Sequence, residues 1–123
     1  MKPVLHYEPE KQIVYADQFK DLSVSIILQA MVEGVQLARE HNCHRFFIDI
    51  SSIRISLSAL DVIHAVEGFE ETGLKRGDKV ACLISSYYEA ETQLWYTVTF
   101  NRFWYMLRFF LDATEAESWL LAE

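Results

Sequence analysis

The sequence predicts an α/β protein with a mainly parallel sheet, an amino-terminal hairpin and four helices, in the order ββαβαβαβα. Apolar runs of strand length alternate with stretches whose apolar residues recur at helical spacing, which favours parallel strands joined by helical crossovers. Two of the runs, FFIDI and VACLIS, are apolar on both faces, as in central strands that are covered on both sides. The stretch from Arg45 to Asp61 then adds a loop and a helix start directly after such a strand.

Length and composition predict one domain, residues 1–123, of which 51% are hydrophobic. The 18 acidic and 11 basic residues give a net charge of −7, which disfavours nucleic acid as a partner because phosphate backbones are anionic. The apolar runs are too short to span a bilayer, and the first residues lack the apolar core of a secretion signal. Two cysteines, Cys43 and Cys82, lie in different predicted elements, so we expect a cytoplasmic protein without a disulfide.

The first part of the chain is predicted to form a hairpin and a helix. The runs Val4–Glu8 and Gln12–Asp17 flank a turn that begins at Pro9, and a helix follows to about Glu40. Asn42 is the expected left-handed residue after this helix. The candidates for its N-cap are Asp21, Ser23 and Ser25.

Two further strand–helix units follow. The strand from Arg45 to Ile50 leads to a helix from Ser58 to about Thr72, which begins with the capping-box spacing Ser58-Ala-Leu-Asp61 and ends at Gly73. The buried stripe expected for this helix consists of Ala59, Val62, Ile63, Val66 and Phe69. Gly77-Asp78 is predicted to turn the chain into the strand from Lys79 to Ser85.

The last part of the chain is predicted to contain a helix to about Arg102, a strand from Tyr105 to Asp112 and a short final helix. The spacing Thr114-Glu-Ala-Glu117 predicts a capping box at the start of the final helix.

Asp49 and Ser58 are candidate functional residues because Asp49 lies near the carboxyl end of a central strand and Ser58 starts the helix that follows. Ligands of open parallel sheets bind at the carboxyl ends of the strands, and a helix start such as Ser58 favours a phosphate group. The simpler interpretation is local: Asp49 caps the loop that follows it, and Ser58 caps the helix.

No catalytic or metal-binding constellation is evident. The cluster His41, Cys43 and His44 lacks the paired spacing of zinc sites, so a solvated helix end is the better interpretation, and we expect neither a metal nor a cofactor. His64 falls one position beyond the buried stripe of its helix and is expected at the surface. An enzyme that uses Asp49 or His64 as a base is the weakest of three hypotheses.

Aromatic residues are concentrated in one segment. Ten of the 17 lie between Tyr87 and Phe110, more than one helix and one strand can turn toward a small core. The residues expected in the core are Trp95, Phe109 and Phe110. The residues expected to form a contact surface are Tyr96, Phe103 and Trp104, because exposed aromatic patches mark contacts with proteins or ligands.

Three motifs in this order resemble the STAS domain family, the fold of anti-sigma-factor antagonists and of sulfate-transporter tails. They are the strand FFIDIS, the helix restart SLSALDV and the ending RFFLDATEAESWL. By this resemblance Ser58 matches the family's regulatory phosphoserine, and Asp49 matches the acid that closes the preceding strand. Leu57 and Leu60 replace the family's Asp and Gly on either side, so the phosphoserine motif is degenerate.

The resemblance implies a small, bacterial, non-enzymatic domain that binds a protein, a nucleotide or an apolar ligand at the loops after its strands. Our first hypothesis is a cytoplasmic interaction module that binds a protein partner and forms a homodimer. Its regulatory edge would consist of Asp49, Ser51, Ser52 and Ser58. The fold is also similar to that of CRAL-TRIO lipid carriers, which gives the alternative: a small carrier or sensor of an apolar ligand. The helix that starts at Ser58 would then be a lid over an aromatic-lined cavity.

Overall fold

The computed structural model describes residues 3–53, 57–85, 92–93, 95–96 and 105–122, which form a mixed five-stranded sheet and three α-helices. The strands are β1 (Val4–Glu8), β2 (Ile13–Asp17), β3 (Arg45–Asp49), β4 (Asp78–Leu83) and β5 (Tyr105–Phe110). The helices are α1 (Val24–Glu40), α2 (Ala59–Gly68) with a 3-10 turn at Phe69–Thr72, and α3 (Ala113–Leu121). The helix predicted to end near Arg102 lies largely outside the described residues, although Thr92, Gln93, Trp95 and Tyr96 have helical backbone.

The strands lie side by side in the order in which they occur along the chain. β1 pairs with β2 in antiparallel orientation, and the three pairs from β2 to β5 are parallel, which confirms the predicted hairpin and the mainly parallel sheet. Parallel strands are joined by right-handed crossovers, so a sheet that always advances in one direction places its crossover helices on one face. α1 and α2 accordingly pack together in one apolar cluster.

β3 divides the core between the two faces of the sheet. Phe46 belongs to the large cluster beneath α1 and α2, whereas Phe47 belongs to a second cluster beneath α3. α3 contributes Ala116 and Leu120 to this second cluster. Neighbouring residues of a strand point to opposite faces, so the apolar run of β3 correctly predicted a strand covered on both sides.

The local signals for helix ends are largely confirmed. Ser23 is the N-cap of α1, since its hydroxyl oxygen accepts a hydrogen bond from the backbone N–H of Ile26 at 3.2 Å. Asn42 and Gly73 follow their helices with positive φ angles of 55° and 98°. The buried stripe predicted for α2 was partly wrong, because Ala59 and Ile63 are exposed. Its other members are buried.

The capping box predicted for the last helix is also wrong. β5 ends at Phe110, and Asp112 is the N-cap of α3. One oxygen of its carboxylate accepts from the backbone N–H groups of Thr114 at 2.7 Å and Glu115 at 3.1 Å. Asp112 precedes the first helical residue directly and so supplies the cap two residues earlier than the sequence pattern suggested.

Glu117 instead ties α3 to the second face of the sheet. The Tyr15 hydroxyl donates to Glu117 Oε2 at 2.5 Å, and Lys11 Nζ lies 3.2 Å from the same carboxylate. Burial, together with the Glu117 carboxylate, raises the pKa of Tyr15, and the hydrogen bond from Tyr15 lowers the pKa of Glu117. The contribution of Glu117 to the free energy of unfolding is lost as the pH falls through its lowered pKa. The contribution of Tyr15 is lost as the pH rises through its raised pKa. Both stabilise the fold between their ordinary pKa values, 4.5 and 10.0.

A fully buried carboxylate joins α1, β3 and β4 at the amino ends of the two strands. Asp78 Oδ2 accepts from Arg39 Nη2 at 2.6 Å and from the backbone N–H of Lys75 at 2.8 Å. Its Oδ1 lies 2.9 Å from His44 Nδ1. The predicted turn at Gly77-Asp78 is present: Gly77 has a φ of 95°, and the backbone N–H of Asp78 closes the turn on the carbonyl oxygen of Lys75 at 3.1 Å. The sequence pattern did not indicate that Asp78 is also the first residue of β4, with a side chain that is 0% exposed.

We expect Asp78→Ala to lower the free energy of unfolding by about 3–5 kcal/mol, because the substitution leaves the Arg39 guanidinium and the Lys75 amide without their buried acceptor. Urea unfolding followed by circular dichroism measures this. Glu70→Ala, which removes an exposed carboxylate, is the control and should change the free energy by less than about 0.5 kcal/mol. Equal effects of the two substitutions would contradict the role assigned to Asp78.

Candidate functional site

The loop after β3 is closed by the carboxylate of Asp49. Its Oδ1 accepts two hydrogen bonds from Ser51, at 3.0 Å from the backbone N–H and at 2.6 Å from the hydroxyl. The backbone N–H of Ile50 donates to the carbonyl oxygen of Leu83, which ties the start of the loop to the end of β4. Asp49 and Ser51 therefore fix the shape of this edge, in agreement with the local interpretation of Asp49.

Ser58 forms a complete capping box at the start of α2. The backbone N–H of Asp61 donates to Ser58 Oγ at 3.1 Å, and the backbone N–H of Ser58 donates to Asp61 Oδ2 at 3.2 Å. Ser58 is exposed, but the Asp61 carboxylate lies against it. A phosphate group on Ser58 would meet this negative charge, so like-charge repulsion opposes the modification at this helix start. Ser52 is exposed in the same loop, and residues 54–56 lie outside the described residues.

Of the three residues predicted to form a contact surface, the structure describes Tyr96. Phe103 and Trp104 lie outside the described residues. Tyr96 is half-buried, and its hydroxyl oxygen accepts a hydrogen bond from the backbone N–H of Phe109 at 2.8 Å. Its ring packs edge-on against Phe109 with centroids 5.6 Å apart. Tyr96 therefore packs against β5. Trp95, Phe109 and Phe110 are buried, as predicted.

The histidines and cysteine after α1 make separate contacts. The ring of His41 stacks on Tyr7 with centroids 3.9 Å apart, and the Cys43 thiol is buried, where it donates to a main-chain oxygen. His44 contacts the buried carboxylate at the start of β4. Within the described residues, no three possible ligands are close enough together to hold a metal ion. His64 is exposed, as predicted.

An apolar cavity of about 60 Å³ lies between α1 and the sheet. The carrier hypothesis requires such a cavity. Every lining residue that the structure describes is apolar, and the lining includes Met31 of α1, Phe69 of the 3-10 turn and Trp95. Phe69 follows α2 directly, so the segment expected to act as a lid does border the cavity. The sequence did not indicate that α1 forms the other wall of the cavity. A buried helix face has the same apolar periodicity whether it packs tightly or leaves a cavity.

The chemistry of the cavity suits an apolar group. Burial raises the pKa of the Cys82 thiol in its wall to about 12, so this thiol is neutral near pH 7 and unreactive as a nucleophile. A cavity of about 150 Å³ binds benzene in other proteins, and the space here is less than half as large. It therefore accommodates a small alkyl group without rearrangement, and a longer ligand only if the walls move.

No protein family, curated protein or solved structure matches this chain. Within the described residues, no helix is both long enough and apolar enough to cross a bilayer.

We expect Ser58→Ala to lower the free energy of unfolding by about 1 kcal/mol, because it removes the acceptor for an otherwise unpaired amide at the helix start. Ser52→Ala removes an exposed hydroxyl from the same loop and should change the free energy by less than about 0.5 kcal/mol. Thermal and urea unfolding of both variants provide the measurement. A Ser58→Ala variant as stable as the wild type would contradict the capping role.

Proposed function

We propose that this chain is a non-enzymatic, STAS-like module that acts by binding a protein partner. The observation that carries the proposal is an exposed apolar pair on α2, directly after the predicted regulatory edge. Leu60 is 59% exposed and Ile63 is 38% exposed. Residues three apart lie on one face of a helix, so the two side chains form one apolar surface. A surface of this kind next to a functional loop favours a contact with another protein.

The two departures from the family motif support an apolar contact in place of a phosphate switch. Leu57, where the family has Asp, is half-buried and packs against the core cluster beneath α1 and α2. Leu60, where the family has Gly, adds to the exposed surface. Because the Asp61 carboxylate repels a phosphate on Ser58, we propose that partner binding does not depend on phosphorylation. Its affinity then comes from the apolar area that the contact buries.

The order of the described elements supports the STAS-like scaffold. The hairpin, the two strand–helix units after it and the final helix follow the order that the family resemblance implies. In this proposal Asp49, Ser51, Ser52 and Ser58 shape the edge beside the contact surface, and the aromatic segment with Tyr96, Phe103 and Trp104 contributes a further contact, including the homodimer contact.

The test is a double variant, Leu60→Ser with Ile63→Ser, since polar groups at these exposed positions remove apolar contact area without disturbing the core. We expect loss of binding to the protein that the wild type retains from an extract of its host, with unchanged circular dichroism. Val32→Ser, at a position of α1 that is 43% exposed, is the matched control and should retain the partner. Retention of the same partner by the double variant would refute the proposed surface. Light scattering of Trp104→Ala tests the homodimer contact separately and should show a monomer.

The apolar cavity favours a second candidate function, a small carrier or sensor of an apolar ligand. Native mass spectrometry of protein purified from its host should then show an added organic mass. Ala30→Leu fills the cavity from α1, because Ala30 is buried in its wall, and should remove the added mass. A spectrum that contains only the mass of the protein for the wild type would refute the carrier function.

A further inference from the structure

A second pocket, of about 350 Å³, lies at the amino ends of β3 and β4. These ends form the opposite edge of the sheet from the loops discussed above. The side chains and backbone that line it come from Gln12, Asn42, Cys43, His44, Arg45, Gly77, Lys79, Leu120 and Ala122. Among the described residues, no carboxylate side chain lines this pocket, although the protein as a whole carries a net charge of −7.

Two basic residues that line the pocket lie on adjacent strands. Arg45 and Lys79 are register partners in the parallel pair β3–β4. Neighbouring strands are about 4.8 Å apart, and paired residues of parallel strands point to the same face. Like charges at directly paired positions repel each other, and an anion bound between them removes this cost.

Both cations retain N–H groups for such an anion. The guanidinium of Arg45 donates from Nη1 to the carbonyl oxygen of Lys11 at 3.3 Å, which leaves most of its donors available. The ammonium of Lys79 donates to the carbonyl oxygens of Trp119 at 3.0 Å and Ala122 at 2.8 Å, which leaves one N–H. Within the described part of the chain, neither cation forms an ion pair with a carboxylate.

The fold holds these groups in place without a ligand. The two carbonyl bonds fix Lys79 against the end of α3, where its Nζ lies 5.1 Å from the centroid of the Trp119 ring. His44 is oriented by the contact of its Nδ1 with Asp78. A site whose donors are already positioned loses little conformational entropy when it binds.

We propose that this pocket binds a phosphate monoester. The planar fork of Arg45 matches two phosphate oxygens, and Lys79 supplies a second positive charge beside it. The lining also includes Gln12 and Asn42, whose side-chain amides are neutral donors. A volume of about 350 Å³ leaves room for the organic part of a small ligand.

The test is titration of the protein with inorganic phosphate and with phenyl phosphate, followed by amide NMR at constant ionic strength in sodium chloride. We expect saturable shifts at Asn42, His44 and Gly77, with phenyl phosphate binding more tightly because it also fills the organic part of the pocket. Arg45→Gln should weaken binding by about tenfold or more, because it removes a charge-assisted bidentate contact. Lys20→Gln makes the same change of charge at an exposed position after β2 and should leave binding unchanged.

Shifts that rise linearly without saturation, or that are equal for phosphate and chloride, would overturn the proposal. Equal weakening by Arg45→Gln and Lys20→Gln would overturn it as well, since it would indicate a response to net charge alone. A thermal melt of the wild type provides a measurement that needs no variant. Phosphate should raise the melting temperature above that in chloride of the same ionic strength, and the absence of this difference would count against the site.

Discussion

The carboxylate of Asp78 is the constraint on which the geometry of this sheet depends. A buried charge is tolerated only when its hydrogen-bonding capacity is satisfied, and Asp78 satisfies it with groups from the end of α1, the start of β3 and the turn before β4. The backbone N–H of Lys79, the next residue, donates to the carbonyl oxygen of His44. Together these contacts fix where β4 begins relative to β3. The adjacency of Arg45 and Lys79 and the shape of the pocket beside them follow from that register.

Features that depend on neighbouring residues could be predicted from the sequence, and features that depend on distant partners could not. Ser58 and Asp61 form the box that their spacing indicates, and Gly73 ends its helix because few other residues adopt a positive φ. Asp78 follows a glycine in a pattern typical of a turn, and its burial is decided by Arg39, 39 residues earlier in the chain. Glu117 has the spacing of a capping residue, but its partner Tyr15 lies 102 residues away.

The candidate sites show the same division. Doubly wound sheets create a ligand crevice where the strand order reverses, and the described strands here advance in one direction without a reversal. Asp49 and Ser58 occupy the expected edge, but Asp49 Oδ1 and Ser58 Oγ accept hydrogen bonds in local caps. Arg45 and Lys79, which retain unused N–H donors, lie at the opposite edge of the sheet. Only the pairing of β3 with β4 brings them together. Ile63 falls at the edge of the apolar stripe of α2, where periodicity alone does not decide between core and surface.

The sequential strand order also has a consequence for how the chain folds. Each strand pairs with its neighbour in the chain, so each step of sheet assembly closes only the one connection that joins the two strands. α3 is the exception, because the hydrogen bond from Tyr15 to Glu117 joins the second strand to the final helix across 102 residues. The surface on which α3 docks is complete only after β2, β3 and β4 have paired. We therefore expect α3 to dock on the sheet late in folding, after these strands have paired.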